Sequence, residues 1–312
     1  MILPLILKSK GGTSLSSAAV VDGSRQACAD VISGKAHRLI VLVGPYTEED
    51  IDYAKSCLSK VERLPNVVII MCSYFEKPRT TAGWKGFIHD PDLDGSSNIN
   101  EGIRKAGELS KTVTDMGMPV GVELFNTISP QFASVLVSWG AVGSESQLHQ
   151  ELASGACHPI CFKSRTQGDM QVAINSIRAA ARPHSFLGVD DLGFASIFHT
   201  SGNPDVNVIS RGEKVPNYEA ESVKEARDQL SKARPNLHPA IALMEIVDHC
   251  HQTKVVNKIC EQLINGDQSI VGVMIKSHIN EGHQNGPIQG HLAPKPGVSI
   301  MFLLHFIPLL LL

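Results

Sequence analysis

The sequence predicts an α/β fold, a (β/α)8 TIM barrel, on three observations. Short apolar runs rich in β-branched residues recur along the chain with room for a helix between them. Eight such runs are found. No internal repeat or low-complexity tract interrupts the alternation. An open doubly wound sheet is the competing architecture, since it is built from the same units.

At 312 residues and 43% apolar composition the chain can bury a large core. Barrels of this kind reach that length as a single domain. Residues 1–37 are expected as an N-terminal arm. Residues 38–312 are expected as the barrel, with its final helix replaced by an apolar tail. In chain order, strands are predicted over 38–45, 66–71, 119–125, 139–143, 159–163, 206–211, 242–247 and 269–275, with a helix over about 49–62. Residues 185–189 form an additional extended piece, expected as part of a decorating hairpin.

Twenty-eight basic and 31 acidic residues give a net charge of −3 without a long run of either sign, which argues against a nucleic-acid surface. Seven cysteines without a CxxC pair read as reduced thiols of a cytoplasmic protein. Cys157 and Cys161 are expected to pack as small hydrophobes. The apolar start, Met1 to Leu7, lacks a basic region before it and a cleavage site after it. The last fifteen residues, from Val298, contain Pro308 and are too short to span a bilayer as a helix.

In a barrel the functional groups sit at the C-terminal ends of strands. Immediately after the second predicted strand comes Ser73-Tyr74-Phe75-Glu76-Lys77-Pro78-Arg79-Thr80-Thr81-Ala82-Gly83-Trp84-Lys85-Gly86. Pro78 stiffens the loop between two cations, and two hydroxyls follow, a composition suited to gripping a phosphate or carboxylate. A solvated surface loop is the alternative. Glu123, Lys163, Arg211, Lys276 and the pair His249 and His251 lie at or near other strand ends. Cations drawn from several strands make a field for an anionic substrate. His249, Cys250 and His251 are too close in sequence to face one ion from a strand.

The string from Tyr74 to Thr81, with Gly83-Trp84-Lys85-Gly86, resembles the signature of the short microbial type (type I) of 3-deoxy-D-arabino-heptulosonate 7-phosphate (DAHP) synthase. The likeness extends over roughly residues 25 to 300, through Trp139-Gly140-Ala141, Glu151-Leu152-Ala153-Ser154-Gly155, Thr200-Ser201-Gly202-Asn203 and Gly272-Val273-Met274-Ile275. It implies a transferase that condenses phosphoenolpyruvate with erythrose 4-phosphate and releases phosphate, the first step of the shikimate route to aromatic amino acids. It also implies a homo-oligomer that binds neither nucleic acid nor membrane.

Carried over by position, Lys77, Lys163 and Arg211 would hold phosphoenolpyruvate. Arg79 and Thr80 would hold the sugar phosphate, and Glu123 would stand beside the phosphoenolpyruvate site. A divalent metal, manganese or similar, is also implied. Of its four ligand positions no more than the histidine survives, best matched by His251 with His249 as the competing match. Tyr46 stands for the cysteine and Lys276 for the glutamate, and the segment after Ile300 lacks the aspartate, so metal binding is expected to be weak or absent. Two arginines of the pattern are missing as well: Cys72 occupies one position, and Gly143-Ser144-Glu145 omits the other. Lys276 is therefore a candidate for the charge that a metal would otherwise bring, the alternative being a lysine without a role whose side chain turns to water. The alternatives are a non-catalytic partner of an active synthase and a member recruited to specialised metabolism.

Overall fold

The computed structural model describes residues 13–44, 64–76, 83–164, 170–211, 217–244 and 252–276. The helix expected over 49–62 and the tail after Ile300 lie outside them. Eight parallel strands close into a barrel: β1 (Leu39–Gly44), β2 (Val67–Cys72), β3 (Val120–Glu123), β4 (Val137–Gly143), β5 (Ile160–Lys163), β8 (Val206–Arg211), β9 (Ile241–Met244) and β10 (Ile270–Lys276). Their order around the barrel is β1-β10-β9-β8-β5-β4-β3-β2, so the closed alternative holds and the open sheet does not.

The runs are continuous in apolar residues because parallel strands are buried on both faces. Alternation then divides them into two cores. Val41, Val43, Ile69 and Met71 face outward, into a layer completed by α2 (Ile99–Asp115) and α5 (Met170–Ala180). On α2, Ile103, Ala106, Leu109 and Val113 recur at helical spacing to supply that layer, while Arg104 pairs with Glu101 and Glu108. On α5 the same role falls to Ala173, Ile174 and Ile177. Ile40, Leu42, Val68, Ile70, Trp139 and Cys161 form the second core, which fills the barrel interior.

Residues 15–32, inside the stretch expected as an arm, form helix α1 (Leu15–Ile32). Ser14 caps it, its hydroxyl accepting a bond from the Ser17 amide at 3.0 Å. Cys28, Val31 and Ile32 join the interior core beside Ile40 and Val68, so α1 stops the N-terminal end of the barrel. Arg25 secures it by donating from Nε to the Val137 carbonyl (2.8 Å) and from Nη2 to the Ser134 carbonyl (2.7 Å), both at the approach to β4. The register between β3 and β4 shifts by one residue, from Val120 opposite Val137 to Gly121 opposite Trp139. Ser138 is the extra residue of that bulge, and its hydroxyl lies 2.7 Å from the Ser24 hydroxyl of α1.

The additional extended piece is β6 (Ser185–Val189), and β7 (Ala195–His199) pairs with it antiparallel in a separate two-stranded sheet. Phe186 and Phe198 stack across that hairpin with ring centroids 5.8 Å apart. Cys161 is buried as expected, and its thiol donates to Asn207 Oδ1 at 2.6 Å. Cys157 corrects the expectation: it is exposed, because it lies in the turn between α4 (Gln147–Gly155) and β5 rather than on a strand. Among the described residues no helix is long and apolar enough to cross a membrane.

Candidate anion site at the barrel mouth

The C-terminal ends of the strands define the mouth. Glu123 is the last residue of β3, Lys163 of β5, Arg211 of β8 and Lys276 of β10. Parallel register brings neighbouring strand ends to one level: Glu123 stands opposite Ala141, Gly143 opposite Lys163, Arg211 opposite Met244 and Lys276 opposite Gly44. Gly44 has φ +137°, and a Cβ there would press against the Cys72 backbone at 3.2 Å. Glycine at this position lets β1 leave the mouth close against β2.

Lys163 and Glu123 meet across the mouth, the Lys163 ammonium donating to Glu123 Oε1. Their side chains are only 11% and 10% exposed, so the pair is largely withdrawn from water. The Tyr74 ring, just beyond β2, lies 5.2 Å from Lys163 Nζ in a cation–π arrangement. The Lys163 carbonyl is itself held, accepting from the Ser144 hydroxyl at 2.5 Å. A lysine bracketed by a carboxylate and an aromatic face is stiff at its base, yet its ammonium can exchange its partner for a stronger anion.

Glu76, the last described residue before the cationic loop, is buried. Its carboxylate accepts from Asn126 Nδ2 at 2.8 Å and from the Ser129 hydroxyl at 2.5 Å. Asn126 Oδ1 in turn accepts from the amides of Ile128 and Ser129, both at 2.8 Å, at the start of α3 (Ser129–Ala133). Burial pushes the Glu76 carboxyl above the usual range, opposed by the bond from Ser129, the charge of His89 and the bond from Asn126.

Of the residues expected to serve the site, Glu123 and Lys163 are in contact, and Arg211 and Lys276 end barrel strands. Lys77, Arg79, Thr80 and His251, with Tyr46, lie outside the described residues. Among the described residues no three His, Cys, Asp or Glu side chains converge in a way that would hold a metal ion. Tyr74, Asn126 and Ser129 were missed from the sequence. For Asn126 and Ser129 a signal existed, since Asn126-Thr127-Ile128-Ser129-Pro130 directly after a strand is a helix-start pattern.

Residues 14–305 match the model of the DAHP synthetase I family. The chain is 46% identical over 303 residues to the tyrosine-inhibited phospho-2-dehydro-3-deoxyheptonate aldolase of Schizosaccharomyces pombe, covering 92% of this chain and 81% of that protein. It is 40% identical over 300 residues to the Phe-sensitive phospho-2-dehydro-3-deoxyheptonate aldolase of Escherichia coli, covering 91% and 85%. The structure of phospho-2-dehydro-3-deoxyheptonate aldolase from Francisella tularensis superposes with a TM-score of 0.91 at 38% identity, covering 97% of this chain and 92% of that one.

Proposed function

The chain belongs to the DAHP synthetase I family, and we propose from that membership that it condenses phosphoenolpyruvate with erythrose 4-phosphate to give the seven-carbon phosphate and inorganic phosphate. It is an enzyme of the DAHP synthase class. The observation that carries the reading to this chain's own residues is the Lys163–Glu123 pair, a cation kept nearly out of water at the barrel mouth.

In this proposal Lys77, Lys163 and Arg211 neutralise the phosphate and carboxylate of phosphoenolpyruvate, while Arg79 and Thr80 bind the aldose phosphate. Glu123 orients the Lys163 ammonium until substrate takes its place. C3 of phosphoenolpyruvate attacks the aldehyde carbon, the aldehyde oxygen becomes an alkoxide that takes a proton, and water replaces the phosphate that leaves C2. Cations fixed before the reaction lower the cost of the charge that develops.

The family is metal-dependent, and a bound divalent ion would polarise the aldehyde. The donors of this chain fit such an ion poorly. Lys276 stands beside Gly44 in the β1–β10 register, two residues before Tyr46, and an ammonium repels a cation unless it first loses its proton. We infer weak manganese binding and assign the alkoxide to the Lys276 ammonium instead.

Phosphate release by the purified protein, with both substrates and with either one alone, tests the reading. Release that requires both and survives chelator is expected, as is its loss in Lys276→Met with phosphoenolpyruvate binding retained. Absence of release under every metal condition overturns the condensation. Release strictly dependent on added manganese overturns the role given to Lys276.

A further inference from the structure

Two contacts at the mouth come from one short stretch. Residues 73–76 leave β2, and Tyr74 places its ring against the Lys163 ammonium, while two residues on Glu76 reaches the turn that follows Glu123. Glu123 is the other group that brackets Lys163. The exits of β2 and β3 thus carry one wall each of the Lys163 environment. A cavity lined in part by Ser73, Glu76, Glu123 and Ser129 adjoins these exits and runs on to Val137 and His158, so close packing is not continuous there.

The bond network crosses that gap. β2 and β3 are joined in register at Met71–Val120 and Cys72–Gly121. Beyond this ladder the Ser73 amide donates to the Gly121 carbonyl at 2.8 Å. Glu76 with Asn126 and Ser129 supplies the next tie, and it is oriented at both ends. Asn126 cannot turn its amide around without losing the two backbone amides that its oxygen accepts. A buried carboxylate with both oxygens engaged is costly to leave without partners, so the tie is either complete or broken.

We propose that Glu76 is a positioning residue for Lys163: its carboxylate, through Asn126 and Ser129, fixes the spacing between the β2 and β3 exits and so holds Tyr74 and Glu123 on either side of the lysine ammonium. This rests on the reading of Lys163 as a phosphoenolpyruvate ligand, and it adds a residue outside that ligand set. Glu76 touches neither substrate nor reacting atoms in this role. It acts by keeping Lys163 pre-aimed, so that binding phosphoenolpyruvate costs little reorganisation.

Two measurements on the full chain decide it. The first is the acetylation rate of Lys163 by acetic anhydride, followed by mass spectrometry and normalised to exposed lysines of the same sample. The second is phosphoenolpyruvate affinity by titration. Glu76→Ala is expected to raise the normalised Lys163 rate at least threefold and weaken phosphoenolpyruvate at least fivefold. Glu76→Gln, which can still accept from Asn126, should recover more than half of both effects. Asn126→Ala should resemble Glu76→Ala, and the double variant should be no worse than either single one.

Unchanged Lys163 labelling in a folded Glu76→Ala protein overturns the proposal, as do additive effects in the double variant. If Glu76→Ala fails to fold, Asn126→Ala and Glu76→Gln carry the same comparison: normal labelling and affinity in both overturns it. If the unmodified protein does not bind phosphoenolpyruvate, the substrate reading fails, while the labelling arm still decides whether Glu76 positions Lys163.

Discussion

At the N-terminal end the barrel interior is closed by Cys28, Val31 and Ile32 of α1 against Ile40, Val68 and Trp139, whereas at the C-terminal end the strands finish in Glu123, Lys163, Arg211 and Lys276. Three strands, β5, β8 and β10, supply both, with Cys161, Ile209 and Val271 in the interior core. On β5, Cys161 is sealed inside with Asn207 as its partner, and two residues later Lys163 is at the mouth. One inward-facing step along a strand therefore separates an environment that excludes ions from one that collects them. Burial in the lower half pushes the Cys28 thiol up to about 12 and the Cys161 thiol higher still, so both stay protonated at any physiological pH. The contrast is useful chemically. A close-packed floor yields little, so charges set on it keep the geometry they have before substrate arrives.

The sharpest way to break this division is to hollow the floor. Trp139 is completely buried, and Trp139→Ala should cost about 3–5 kcal/mol of folding stability. Urea unfolding followed by circular dichroism measures it. Phosphoenolpyruvate affinity per folded molecule should stay within about twofold of the parent, because the residue is part of the interior core and not of the mouth. A large loss of affinity in the folded variant would show that floor and mouth are one unit.

The mouth should respond in the opposite sense. Lys163→Ala and Arg211→Ala should each weaken phosphoenolpyruvate about tenfold or more, since on the proposed reading each removes a charge-assisted contact of about 1.5–3 kcal/mol. Lys163→Ala also strands Glu123, which is 10% exposed, so its stability should fall too, and Glu123→Gln in the same chain should restore part of it. Unchanged titration curves for both variants would remove the anion site from the mouth.

The two ends also differ in how much the sequence disclosed. Runs such as Val67–Cys72 announce themselves because both faces of a parallel strand are buried, and the last residue of each run then locates the mouth. Helix α1 was hidden although its buried residues recur at helical spacing, at Ser17, Val21, Ser24, Cys28 and Val31. Two members of that stripe are serines, satisfied by partners remote in sequence: Ser17 meets Thr114 at 2.9 Å and Ser24 meets Ser138 at 2.7 Å. A polarity pattern cannot reveal an apolar face that is built partly from paired hydroxyls. Glu76 escaped for a related reason: among the charges of its loop it looked like one more solvated group, and only its partners 50 and 53 residues later make it a tie.

A titratable ring near the floor gives a pH test of the contrast. His158 precedes β5, is buried, and fits against Gly140, where a Cβ would come within 2.8 Å of its ring. Burial pulls its pKa down to about 4, opposed by the bond to the Pro159 carbonyl. The folded value is below the unfolded value of about 6.5, so the unfolded chain binds more protons between pH 4 and 6.5. Stability from the neutral ring is full above pH 6.5 and falls with pH through that window, by about 2 kcal/mol at pH 5. Urea midpoints at pH 7 and pH 5, in the parent and in His158→Met, measure it. The variant should lose that part of the acid sensitivity, and an identical drop in both proteins would assign the sensitivity elsewhere.

The smallest expected effect concerns the clamp between the stopper and the floor. The Arg25 guanidinium reaches two carbonyls at the approach to β4, so Arg25→Ala removes two bonds and leaves the Val137 and Ser134 carbonyls to find water. The site is only partly buried, which limits the penalty of the second effect and sets the expected cost at about 1–2 kcal/mol. Arg25→Lys should recover less than half, because one ammonium on a flexible stem cannot reproduce a planar fork that serves two acceptors. Amide exchange should accelerate in residues 15–32 before it does in β2 or β3, since α1 would loosen as a unit while the barrel ladder stays intact. Phosphoenolpyruvate affinity should not move, because the two carbonyls lie at the opposite end of β4 from the mouth. A drop in affinity without a drop in stability would reverse the division of labour, making α1 part of the binding machinery instead of the stopper beneath it.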